Sequence, residues 1–240
     1  MNNEPKKIID SISINGINVF PFKCADQLID HALKEKKILV ALHAQKFIDA
    51  PDQLKELANN NVGYCDGIGA VLLLKRKGVS AIRIPGCELW LKIIEKYYHE
   101  KSFYLIGGKE NIIAKVVGKL HVEFPGLKIV GARSGYFNSD NEISETIKDV
   151  ANKKPDVVFV AMGTPKQENF MEELQKHHSA LYQGLGGSFD VYSGSVKRSP
   201  KILNVLGLEW FYRWSTNPFK MTKRTLSLLP FIYKLVFDKM

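Results

Sequence analysis

Apolar residues follow two rhythms along this chain, and the rhythms alternate. Runs that are apolar almost throughout occur at residues 37–42 (KILVAL), 102–108 (SFYLIGG), 127–132 (LKIVGA), 156–163 (DVVFVAMG) and 180–187 (ALYQGLGG). Between them, hydrophobic side chains recur every three or four positions. Over 87–98, Leu89, Ile93 and Tyr97 share one helical face while Glu88, Lys92 and Glu95 fall elsewhere; Ile112, Ile113, Val116, Val117 and Leu120 repeat the arrangement. A strand with one wet face alternates, whereas an unbroken run such as 157–161 is covered on both faces. The order predicts an α/β fold, a mainly parallel sheet with helices on both faces. One segment departs from it. Ile12 and Ile14, then Ile17 and Val19, alternate about Asn15-Gly16, the dipeptide that best accepts the positive φ angles of a tight turn, which predicts a small N-terminal β-hairpin at the edge of the fold.

In a parallel sheet, ligands collect where strands pass into helix N-termini. Those ends are glycine-rich here: Gly107-Gly108, Gly163, then Gly184, Gly186 and Gly187. A single such turn is ordinary punctuation, but three at consecutive strand ends favour a phosphate or nucleotide site. Four stretches near these ends carry candidate chemistry. In CDGIG (65–69), Asp66 is either a turn or helix cap or a working carboxylate. In GTPKQE (163–168), Pro165 suits the first turn of a helix. Lys166 and Gln167 then either start a solvated helix, with Glu168 complementing its dipole, or meet a diphosphate or base. GGSFDVYSGSVKRSP (186–200) shows little periodicity. Phe189, Val191 and Tyr192 argue against a free linker, and Lys197-Arg198 suit an anionic leaving group. Asp190 either orients a ribose hydroxyl or pairs with Lys197 or Arg198. Arg83 stands just before Pro85-Gly86 and a helix start, as surface charge or as a diphosphate clamp.

Composition narrows the partners. The chain has 240 residues, Lys+Arg 34 against Asp+Glu 25, a formal charge of +9 and a pI near 9.3, which points to anionic partners. Cys24, Cys65 and Cys87 form no CxxC pair, so neither a disulfide framework nor a zinc site is expected, and a reducing cytoplasm fits. The polar start MNNEPKKIID suggests no export signal. No window offers the roughly 20 apolar residues of a spanning helix. HExxH, DxD, GxGxxG and GxxxxGK(S/T) are all missing, which weakens metal, dinucleotide and P-loop readings. SDNEIS (139–144) reads as a helix cap with Glu142 in the first turn. Over 213–240, Arg213, Lys220, Lys223, Arg224, Lys234 and Lys239 oppose only Asp238, with Leu226, Leu229, Tyr233 and Val236 at helical spacing. That pattern suits an amphipathic segment on an anionic membrane, or a basic helix packed on the core or on another subunit. The organisation expected is therefore a core over 1–208 and a basic appendage over 209–240.

YCDGIG, RIPGCELW, YLIGGKE, GTPKQE, GGSFDVYSGSVKRSP and GLEWFYRWSTNP occur in this order, and together they resemble the WecG/TagA/CpsF glycosyltransferase family over nearly the whole chain. The resemblance implies a Rossmann-like core and a membrane-associating C-terminal appendage. It implies inverting transfer of a sugar from a UDP-sugar to an undecaprenyl-diphosphate-linked saccharide at the inner face of the bacterial membrane, with no metal or other cofactor. It places the catalytic base on Asp66 and donor contacts on Arg83 and Gln167. Gly107, Gly108, Gly163, Lys166, Gly187, Asp190, Lys197 and Arg198 are the further donor-site candidates, and Arg213, Lys220 and Arg224 would hold the lipid diphosphate. Ala41 and His43 stand where relatives carry a Thr-x-Asn pair, Glu88 where aspartate is usual, and Lys220 where arginine is frequent. Two other readings use the same sheet: a nucleotide-binding oxidoreductase or regulator, and a non-catalytic peripheral membrane module. Nucleic-acid binding is not expected, because the cations gather in a tail with aliphatic residues; a homo-oligomer at the membrane is plausible.

Overall fold

All five apolar runs become strands of one sheet, four of them interior. The computed structural model describes residues 9–196; Lys197, Arg198 and the basic appendage expected over 209–240 lie outside them. Within that range β3 (Ile38–Leu42), β4 (Val62–Cys65), β5 (Ser102–Gly107), β6 (Lys128–Arg133), β7 (Val157–Ala161) and β8 (Leu181–Gly184) form a sheet in the order β4-β3-β8-β7-β5-β6. Every pairing in it is parallel. β7 is buried at all five positions. Val157, Phe159 and Ala161 serve one hydrophobic core and Val158 and Val160 the other, as the two-residue repeat of a strand requires.

Helices cover both faces, giving the Rossmann-like α/β arrangement expected. On one face lie α3 (Asp52–Asn60), α4 (Ile68–Arg76), α7 (Asp140–Lys153) and α8 (Lys166–His177), through Leu57, Leu73, Val150, Phe170 and Leu174. On the other lie α1 (Ala25–Glu35), α5 (Gly86–Tyr97), α6 (Glu110–Glu123) and the short α9 (Ser188–Tyr192), through Leu28, Trp90, Val116 and Phe189. Trp90 is the pivot of this second core. Its ring meets Phe159 at 5.8 Å, Phe189 at 5.6 Å and Tyr192 at 5.1 Å, all edge-to-face. These contacts hold residues 186–192 on the core, where sequence periodicity had shown no helix. A one-turn α2 (Lys46–Asp49) follows β3.

β1 (Ile12–Ile14) and β2 (Ile17–Val19) form the expected hairpin, with Asn15 and Gly16 at φ of 50° and 78°. It packs at the β4 edge: Phe20 N donates to Gly63 O at 2.8 Å and Phe20 bridges Tyr64. β4 itself is the strand the apolar pattern did not predict. Its four residues, VGYC, include Gly63, which breaks the run, yet any Cβ there would collide with the Asn18 carbonyl. The cap at Ser139 forms as expected, accepting Glu142 N at 3.3 Å, while Glu142 Oε2 accepts Asn138 N at 3.1 Å. Pro165 differs by one position: it precedes α8 as its N-cap residue.

Candidate active site

All six parallel strands end on one edge, so the loops that follow them converge there. Cys65 ends β4, and Asp66 and Gly67 turn back over the end of β3, both N–H groups donating to Leu42 O at 3.0 and 3.4 Å. The chain returns alongside as residues 83–86. Ile84 N donates to Cys65 O at 2.8 Å, and Arg83 Nε to Asp66 O at 3.1 Å. Gly86, the first residue of α5, donates its N–H to Asp66 Oδ1 at 2.7 Å. Asp66 therefore does cap a helix, and it is a helix remote in sequence. One carboxylate oxygen is fixed at the positive end of α5. Residue 86 accepts no side chain: a Cβ would stand 2.7 Å from Tyr64 Oη and 3.5 Å from Asp66 Oδ1.

Beneath this loop lie two side chains that sequence reasoning did not single out. Tyr64 Oη is buried with no hydrogen-bond partner. Burial, then the charge of Asp66 and then Cys87, pushes the phenol well above its ordinary range. Gln183 of β8 donates through Nε2 to Gly86 O at 2.9 Å, while its buried Oε1 has no partner. Neither stands out in the sequence, since each is a polar group within a run of buried strand residues. Burial pushes the Cys65 thiol up to about 12, which removes it as a nucleophile at neutral pH. His43, just beyond β3, backs this turn: a Cβ on Gly67 would lie 3.2 Å from the His43 Cβ.

The β7–β8 end is built the other way round. Gln167, in the first turn of α8, is buried, and its Oε1 accepts Gly163 N at 3.1 Å and Gly186 N at 2.9 Å. One amide thus clamps the loops after two neighbouring strands. Gly184 leaves room for it, since a Cβ there would be 2.5 Å from Gln167 Nε2. Lys166 is exposed beside it. Thr164 Oγ1 donates to Glu168 Oε1 at 2.8 Å, and Glu168 Oε2 is buried without a partner. Gly187 is exposed ahead of α9, and the half-buried Asp190 places Oδ2 4.0 Å from where a Cβ on Gly187 would stand.

Gly107 and Gly108 serve a third junction. Gly108 N donates to Ala161 O at 3.2 Å, and Gly108 O accepts Gly135 N at 3.0 Å and Ser134 Oγ at 3.1 Å. Their φ angles of 146° and 65° suit only glycine. Three strands separate β5 from β4, so this junction is roughly 20 Å from Asp66 at ordinary strand spacing. Arg133, which the sequence reading passed over, is absorbed nearby. It donates to Ser134 O at 3.0 Å and to the Thr146 hydroxyl, pairs with Glu142 at 3.3 Å and lies 4.1 Å over the Phe137 ring. Among the described residues, no three His, Cys, Asp or Glu side chains gather as a cation site.

A parallel sheet covered by helices on both faces, with an anchored carboxylate and clamped glycine loops on its carboxyl edge, defines a Rossmann-like α/β enzyme. The sequence model of the Glycosyl transferase WecG/TagA/CpsF family matches residues 12–240, and the chain belongs to that family. It is a glycosyltransferase of cell-surface polysaccharide synthesis, which sets aside the oxidoreductase and non-catalytic readings. No helix among the described residues is long and apolar enough to cross a membrane.

Proposed function

We propose that the protein transfers a hexose of the N-acetylmannosamine type, or a related sugar, from a UDP-sugar to an undecaprenyl-diphosphate-linked GlcNAc-type acceptor, with inversion and without a metal. Asp66 is the base. The acceptor hydroxyl oxygen forms its bond to the anomeric carbon as the bond from that carbon to the UDP oxygen breaks, and the hydroxyl proton passes to Asp66. The observation that carries this reading is the bond from Gly86 N to Asp66 Oδ1 at 2.7 Å. It orients the carboxylate at the edge of the sheet before any substrate arrives, a preorganisation that costs nothing during the reaction. Arg83, in contact with Asp66 through the loop carbonyl, supplies positive charge for the developing diphosphate.

The remaining roles follow the chemistry of each group. Backbone at Gly163 and Gly187 lets the donor approach closely, with Gln167 fixing the loop that carries Gly163. Lys166 and the Lys197-Arg198 pair receive the leaving diphosphate, and Asp190 takes a ribose hydroxyl. Gly107 and Gly108, far along the edge, shape its distant end. Arg213, Lys220 and Arg224 hold the lipid diphosphate, so that the enzyme works as a peripheral protein at the inner face of the cell membrane. The test offers a panel of UDP-sugars with a lipid-diphosphate GlcNAc analogue and follows UDP release with and without chelator. Chelator-insensitive release with one UDP-sugar is expected. Release abolished by EDTA, or absent with every sugar, overturns the reading.

A further inference from the structure

Directly beyond the acid, the described residues leave an apolar surface exposed. α4 starts two residues after Asp66, and its repeat sorts its side chains. Gly69, Ala70, Leu73 and Leu74 are buried, whereas Ile68 and Leu72, one turn apart on the opposite side, are 51% and 39% exposed. The chain then turns at Gly78 and runs back beside the helix. Val79 N donates to Leu74 O at 2.9 Å, and five residues later Ile84 N reaches Cys65 O at 2.8 Å. Ile82, on this return, is 41% exposed. Three of the six large exposed hydrophobics among the described residues therefore fall in one stretch at the lip of the Asp66 loop, unlike the scatter of single apolar residues on an ordinary surface.

The charge of the same stretch is one-sided. From residue 67 to residue 87 the sequence has Lys75, Arg76, Lys77 and Arg83 and no Asp or Glu. Lys75, Arg76 and Lys77 are exposed at the end of α4 remote from Asp66. We infer that this face, α4 with its return segment, docks on an anionic lipid bilayer and sets the mouth beside Asp66 against the membrane surface; the inference rests on the lipid-linked acceptor proposed above. Ile68, Leu72 and Ile82 enter the apolar boundary, while Lys75 and Lys77 extend their stems along it and meet lipid phosphates. Charge complementarity selects this occupant. Residues 197–240 carry nine Lys or Arg against Glu209 and Asp238, so like charge disfavours the chain's own tail as the occupant. A second copy laid face to face would oppose the same cations to themselves.

Two measurements on the full chain test this: hydrogen–deuterium exchange and co-sedimentation, with vesicles of phosphatidylglycerol mixed with phosphatidylcholine or of phosphatidylcholine alone. The anionic vesicles should slow exchange over residues 68–84, and the neutral ones should not. Ile68→Ser with Leu72→Ser should lower the vesicle partition coefficient by about tenfold, and Lys75→Glu with Lys77→Glu should reduce the preference for anionic vesicles and remove the exchange protection over residues 68–84, leaving the share held by the basic tail. The docking is overturned by exchange protection confined to residues beyond 196, by partition unchanged in both double variants, or by no vesicle binding at all. It is equally overturned if Ile68→Ser with Leu72→Ser splits a dimer in size-exclusion chromatography and leaves partition as it was. Turnover of a water-soluble, short-chain diphosphate acceptor separates the two readings. The Ile68/Leu72 variant should retain it. If the unaltered enzyme turns over no UDP-sugar, the proposed reaction falls whatever the vesicles show; turnover without protection at 68–84 removes the docking alone.

Discussion

At the β4 end of the carboxyl edge a side chain is held by backbone, and at the β7–β8 end backbone is held by a side chain. Asp66 takes the Gly86 N–H on one oxygen and stands half-buried at the rim. Gln167 takes two loop N–H groups on one oxygen and is buried. Both are polar residues near a strand end in motifs of similar look, yet in the proposed reaction only the first offers its side chain to the substrate. The second makes its contribution through the loops it steadies. A residue's place in a motif therefore does not by itself say whether it touches substrate or positions what does.

Substitutions can break that distinction. The largest effect belongs to Asp66→Asn. Its amide oxygen still accepts from Gly86, so the melting temperature should hold, while UDP release should drop about 10²- to 10⁴-fold. Near-normal turnover would move the chemistry elsewhere on the edge. Gly86→Ala comes next: its Cβ meets the Tyr64 hydroxyl, and about 1–3 kcal/mol of stability should go. Tyr64→Phe, by itself neutral or slightly stabilising because it deletes an unpaired buried hydroxyl, should restore most of that loss in the same chain. A denaturant-unfolding double-mutant cycle without such coupling would place the strain somewhere else.

Gln167→Ala should cost about 1–2 kcal/mol and raise the KM for the donor more than it lowers kcat, since it frees two loops without removing a reacting group. A loss of kcat to match Asp66→Asn, at unchanged stability, would erase the contrast between the two ends. The smallest effect lies on the opposite edge of the sheet. There Asp156 accepts Ser102 N at 2.9 Å and Ser102 Oγ at 2.8 Å, with Lys101 at 3.4 Å. Burial raises the Asp156 pKa, but these hydrogen bonds and Lys101 outweigh it and hold the pKa below its ordinary value. Such a depressed carboxylate stabilises fully above the unfolded-state pKa and loses its contribution as pH falls through the folded one. Asp156→Ala should thus destabilise by about 1 kcal/mol at neutral pH, the gap narrowing in acid, with turnover unaffected.

The fold was readable where one cause dominates. Unbroken apolar runs announced β3, β5, β6, β7 and β8, and Asn15-Gly16 announced the hairpin, because periodicity and turn chemistry are local. β4 escaped because Gly63 answers to the Asn18 carbonyl, a contact 45 residues away in sequence that no window contains. The same limit applies to the site. CDGIG marked Asp66 as a residue to explain, but the partner that holds it, Gly86, and the arginine against its carbonyl, Arg83, come from a later loop. Gln167 carried no local sign of which way its amide would turn. Tyr64 and Gln183 were hidden by their setting, polar groups inside strands that otherwise read as core. Arg213, Lys220 and Arg224, with Lys197 and Arg198, lie beyond the described range; the roles of the first three rest on the resemblance, and that of the Lys197-Arg198 pair on its charge.

The strand order carries a consequence for how the molecule comes into being. β8 sits between β3 and β7, although it is the last strand of the described chain to emerge during synthesis. Until it inserts, the ribbon bearing Asp66 and the ribbon bearing the Gly163 loop have no edge in common. Gln183 and Gly184, neighbours on that strand, meet the Gly86 carbonyl and the Gln167 amide respectively. The Asp66 loop and the Gly163 loop thus belong to ribbons that only β8 joins, a pairing of high contact order that waits on nearly the whole of the core.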